Sequence, residues 1–146
     1  MGKTYQSTVI DAPIDEVWRA IRDFHDMSWA PNVIQSLEKV GDRSGYEIGA
    51  VRILNGAFVE TLKALDDEGR TLSYSIDDGP SPISKHDVRN YVGQVRVSEA
   101  TEEGGRTLVE WSSSWELNDE PAQEFCHPIY LALLADMKVS LEKPTG

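Results

Sequence analysis

The sequence predicts an α+β domain: a seven-stranded antiparallel sheet curled around one long C-terminal helix, with two short helices after the first strand. Three observations lead there. Strand-like segments follow one another six times between residues 33 and 117, separated by turn signals short enough for hairpins. Apolar residues at helical spacing occur just after the first strand and again near the end of the chain. A sheet with one apolar face and a helix with a wide apolar stripe bury each other when the sheet wraps the helix.

The first segment, TYQSTVI (4–10), alternates and is rich in β-branched residues, as a strand requires. Pro13 suits the first position of a helix, and Asp15 and Glu16 complement its positive first turn. Ile14, Val17, Trp18 and Ile21 share one helical face, giving a helix over about 13–24. Pro31 forbids continuation, so a second, short helix is confined to about 26–30. The six further strands are read at 33–40, 49–54, 57–65, 71–76, 88–97 and 106–117. Asn55-Gly56 is the strongest turn between them, because a type I′ turn needs positive φ at both central residues. At the end, Phe125, Ile129, Leu133 and Met137 are spaced by four, with Tyr130, Leu134 and Leu141 alongside. Pro128 either kinks this helix or marks its start.

Composition narrows the function classes. Residues 1–146 are expected to form a single domain, with no repeats or linkers. The net charge of −11 repels phosphate backbones and anionic membranes, which argues against nucleic acid as a partner. No apolar run approaches the ~20 residues of a membrane span, and the start, MGKTYQSTVI, lacks a basic region followed by an apolar core. A cytoplasmic protein without membrane insertion, monomeric or homodimeric, is therefore expected. The lone Cys126 excludes an internal disulfide and reads as a buried helix thiol. Three well-separated histidines offer no spacing for zinc, and no Gly-rich phosphate fingerprint occurs, so neither metal nor cofactor is expected.

The strings APIDEVWRAIRDF, FVETLKALDDEGRTLSYSI, NYVGQVRV, LVEWSSSWEL and FCHPIY, in this order, resemble the helix-grip superfamily (START/SRPBCC, birch-pollen-allergen-like). The closest resemblance is to bacterial polyketide cyclase/dehydrase-like proteins, with plant abscisic-acid receptors more distant. The resemblance implies a cavity between sheet and last helix that takes a small, largely hydrophobic ligand, aromatic or polyketide-like. The alternative it implies is a cyclase or dehydratase acting in that cavity. Fold alone does not choose between them. By position, it implies a cavity lining of Tyr74, Tyr91, Phe125, Ile129 and Leu133 around Glu60; strand phase adds Phe58 and Leu62, and the enzyme alternative gives Glu60 and Tyr91 the proton transfer. Two features depart from the receptors. The 54–58 link, LNGAF, is too tight for their gate loop, and Gln35 stands where they carry a ligand-holding lysine.

Read from the residues, Glu60 is the outlier in the apolar row Phe58, Leu62, Ala64. It fits a ligand hydrogen-bonder, a general acid or base with a pKa raised by burial, or a carboxylate paired with Arg52 on the preceding strand. Tyr74 and Tyr91 suit either a polar anchor for ligand or half-buried strand tyrosines reaching water. Trp111 and Trp115 fit core packing or a stacking wall. His127 reads as a packing histidine, and His25 as a partner for the C-terminal end of the first helix. The segment GPSPISKH (79–86) is expected to form a lid at the cavity rim, stiffened by Pro82 and with Lys85 and His86 as rim contacts.

Overall fold

A computed structural model describes residues 1–142. The order is β1 (Gly2–Ile10), α1 (Ile14–Ile21), β2 (Leu37–Val40), β3 (Val51–Leu54), β4 (Phe58–Asp66), β5 (Thr71–Asp78), β6 (Arg89–Glu99), β7 (Thr107–Glu116) and α2 (Asp119–Leu141). The strands form one antiparallel sheet in the order β1-β7-β6-β5-β4-β3-β2. It is a meander whose last strand closes onto its first, and it curls without sealing around α2. This is the helix-grip arrangement expected from the sequence. No helix among the described residues is long and apolar enough to cross a membrane.

Local chemistry explains each boundary. In α1 the face Ile14, Val17, Trp18 and Ile21 is buried, and the helix stops after Ile21, where Arg22 turns out to Asp67. The segment 26–30 forms successive turns rather than the short helix expected there, with the Ala30 amide donating to the Met27 carbonyl. Strand β2 begins at Leu37, later than its alternation suggests, because the Asn55 side chain occupies the backbone before it. Asn55 Oδ1 accepts from the amides of Gln35 and Ser36, and Nδ2 donates to the Val33 carbonyl. Asn55 and Gly56 have φ of 54° and 64°, the I′ turn read from the sequence.

Helix α2 is continuous through Pro128. Its buried residues are Ala122, Cys126, Tyr130, Leu133, Leu134, Asp136 and Met137, so Leu133 and Met137 of the expected row lie on the buried face and its first two members do not. Phe125 and Ile129 are half-buried at the edge of that face. Loop 24–36 is tied to the helix by Asp136, which is buried and accepts from both the backbone and the side-chain amide of Asn32 (2.8 and 2.9 Å). That tie fixes one wall of the space between sheet and helix.

Candidate functional site

The site starts with two facing residues on neighbouring strands. Arg52 and Glu60 are direct cross-strand partners flanking the Asn55-Gly56 hairpin, and both are buried. Arg52 Nε and Nη2 lie 2.9 and 2.7 Å from Glu60 Oε1, and Nη1 donates to the Phe24 carbonyl at 3.1 Å. The guanidinium also stacks 3.8 Å above the Phe24 ring. Both contacts to Glu60 end on Oε1, so Oε2 keeps no hydrogen-bond partner among the described residues. Burial pushes the Glu60 carboxyl above its ordinary value, against the charge and hydrogen bond of Arg52.

Beside this pair lies a chain of buried hydroxyls. Trp111 Nε1 donates to the Tyr74 hydroxyl at 2.9 Å, which shares a hydrogen bond with Tyr130 at 3.0 Å. The Tyr130 hydroxyl in turn meets that of Tyr91 at 2.6 Å. Gly93, opposite Tyr74 in the β5–β6 register, makes this possible: a Cβ there would lie 2.2 Å from the Tyr74 ring. Burial raises all three phenols above the ordinary tyrosine value, so they are neutral hydrogen-bonding groups across the working pH range. The sequence-level alternative of strand tyrosines reaching water does not hold for Tyr74 or Tyr91, which are 1% exposed.

A cavity of about 250 Å³ lies over these groups, between the concave face of β3–β5, the first half of α2 and loop 24–36. Among the expected residues, Phe58, Glu60, Tyr74, Ile129 and Leu133 line it. Leu62 is wholly buried in the core beneath, and Tyr91 sits behind Tyr130, stacked on Trp115 at 5.3 Å, so neither lines the cavity. Phe125 stacks on Phe58, ring centroids 6.4 Å apart, and braces the wall from outside the lining. Trp111 is part of the wall, whereas Trp115 is core.

Sequence reasoning missed Ile76, Ile83, Leu54 and the pair Val33 and Ile34 as lining, and treated Arg52 only as a partner for Glu60. Of the loop residues, Pro82 follows a cis peptide bond and gives its carbonyl to Asn118 Nδ2. The loop's cavity contact is Ile83, which is 1% exposed. Lys85 and His86 point outward, and neither reaches the cavity. Two aspartates hold the loop: Asp78 accepts from the Gly79 and Lys85 amides, and Asp87 from the Ser81 and Ser84 hydroxyls. Both carboxyls are held below their ordinary value by those hydrogen bonds.

The remaining candidates lie apart. His127 donates from Nδ1 to Gln6 Oε1 and faces a surface groove beyond β1. His25 bonds the Val51 carbonyl through Nε2, in place of the end of α1. Gln35 is exposed and outside the cavity, its side chain donating to the Asn32 carbonyl. Cys126 is a free thiol at the cavity wall, its pKa raised by burial, as befits an unreactive packing group. Among the described residues no three His, Cys, Asp or Glu side chains converge on a metal site.

Comparison with known proteins agrees with this architecture. A protein from Nitrosospira multiformis is 45% identical, with 97% of each chain covered and a TM-score of 0.92. An uncharacterised protein from Bacillus thuringiensis is 30% identical over 96% of this chain and 98% of its own, TM-score 0.79. XoxI from Bacillus cereus is 30% identical over 97% and 96%, TM-score 0.78. No curated protein matches. The family described as "polyketide cyclase / dehydrase and lipid transport" matches residues 1–142, and the chain belongs to it.

Proposed function

We propose that the protein binds a small, largely apolar molecule carrying one hydrogen-bond donor, with the body in the cavity and the donor on Glu60 Oε2. The observation that carries this is an apolar cavity whose polar wall includes a carboxylate with one oxygen held by Arg52 and the other unpartnered. That oxygen is not sealed in the core, since the buried side-chain polar atoms without a partner among the described residues are Trp29 Nε1 and Trp115 Nε1, and it offers a ligand donor a charge-assisted hydrogen bond. The volume of about 250 Å³ suits a one- or two-ring body: an apolar cavity of ~150 Å³ holds benzene. Ile83 and the Phe58–Phe125 pair would retain it, giving the 79–86 loop the role of a lid through its isoleucine rather than its cations.

A cyclase or dehydratase reading uses the same cavity and is favoured by one observation, that Tyr74 and Tyr130 line it alongside Glu60. There Glu60 would take a proton and Tyr130 would steady a developing oxyanion, with Tyr91 acting only through Tyr130. Titration with 2-naphthol tests the binding reading. Wild type should bind it saturably, and Leu133→Trp, which fills the cavity, should weaken it at least ten-fold. Equal affinity in both would refute the cavity as the site. Turnover of a bound polyketide-like compound, lost in Glu60→Gln at unchanged affinity, would replace the binding reading with the enzyme.

A further inference from the structure

Behind the lid, the sheet has a gap. Pairing of β5 with β6 ends at Ser75 and Val92, and a register shift follows on β6, where Asn90 takes a φ of 54°. Beyond that point Ile76 continues on β5 while Arg89 to Tyr91 diverge, and buried Ile83 and Val88 occupy the space between. On the outer side lies a groove of about 510 Å³. Ile76 and Ile83 line both this groove and the inner cavity, so these two side chains are the partition between them.

The groove's charge runs against that of the protein. Lys63, Lys85 and Arg89 all line it, in a chain of net charge −11. None of the three forms an ion pair among the described residues. The one acidic residue in the lining, Asp77, is occupied by the Thr61 and Ser75 hydroxyls. Asp78 nearby is turned to the loop amides.

We infer that the groove is an anion site coupled to the cavity through the Ile76–Ile83 partition, so that the protein takes amphipathic anions. The apolar chain would lie inside and a carboxylate or sulfate would sit among Lys63, Lys85 and Arg89. This rests on the cavity reading above for the apolar body alone, without the donor on Glu60, and extends it to a substrate class. A local cluster of three cations offsets the long-range repulsion that a chain of this charge exerts on an anion.

Octanoate and 1-octanol share a chain and differ in charge, and Trp111 in the cavity wall reports both by fluorescence. Relative to wild type, Lys63→Gln/Lys85→Gln/Arg89→Gln should weaken octanoate at least ten-fold and leave 1-octanol within two-fold. Lys39→Gln/Arg43→Gln/Arg96→Gln removes the same charge elsewhere and should leave octanoate within two-fold. Unchanged octanoate affinity in the groove variant, or an equal loss in both variants, would overturn the anion site while the cavity stands. Failure of wild type to bind 1-octanol would instead overturn the cavity reading, and the coupled site with it.

Discussion

The Arg52–Glu60 pair offers the sharpest energetic test of how the site is built. Both side chains are at least nine-tenths buried, with nitrogen to oxygen distances of 2.7 and 2.9 Å. Two unit charges ~4 Å apart at an effective dielectric of ~20 attract by about 4 kcal/mol. Desolvating them costs several kcal/mol per ion, so the intact pair adds little net stability. Removing one partner is different, because it strands the other in the core at a cost of about 3–5 kcal/mol. Arg52→Met and Glu60→Leu are each expected to lose that amount. The double variant should return to within about 1 kcal/mol of wild type, the hydrogen bond to the Phe24 carbonyl being the residual loss. Urea unfolding measures this: at a slope of roughly 2 kcal/mol per molar, each single substitution moves the midpoint down by roughly 1.5–2.5 M. Single variants that cost less than ~1 kcal/mol, or a double variant no better than either single, would refute a tightly coupled buried pair.

Other consequences follow from the same geometry. Tyr130→Phe removes the hydroxyl that joins Tyr74 to Tyr91. It should cost about 1–3 kcal/mol in thermal or urea unfolding, against a few tenths for Tyr5→Phe at the exposed surface. Glu60 also imprints a pH dependence: its folded pKa lies above the unfolded value, so the folded state binds the extra proton. The Glu60 contribution to stability is therefore greatest below about pH 4.5 and falls as pH rises through the folded pKa. Subtracting the pH–stability curve of Glu60→Gln from that of wild type should show this decline, and a flat or rising difference would contradict it.

Apart from the short helix expected at 26–30, which is a run of turns, the elements and their order were legible because each rests on local chemistry: Pro13 before α1, Asn55-Gly56 between β3 and β4, alternation along β4 to β7. The face of α2 was less so. A strict spacing of four drifts by about 40° per step against 3.6 residues per turn, so a row begun at the edge of the face with Phe125 and Ile129 reaches the buried axis only at Leu133 and Met137, and it misses Cys126 and Tyr130. The strand phase of β4 placed Phe58, Glu60 and Leu62 on one face correctly but lost Ala64, which a register shift after Leu62 leaves exposed, and alternation cannot say which residue meets a cavity and which meets packed core. Leu62 met the core. The roles of Ile83 and Tyr91 depend on contacts made far along the chain, from the loop to the cavity and from β6 to α2. No local signal at 79–86 distinguishes an inward isoleucine from the outward Lys85 and His86. The conspicuous residues of that segment were the polar ones, and it is Ile83 that reaches the cavity.

The central claim is that the space between sheet and α2 is where a small apolar molecule binds. Methyl-resolved NMR during titration with 2-naphthol tests it most directly. Leu54, Ile76, Ile129 and Leu133, from three different elements of the cavity wall, should shift together and saturate at one equivalent, with Val40 and Val139 unmoved. Unmoved cavity methyls, or shifts confined to the outer grooves beside Lys3 or Val92, would contradict it.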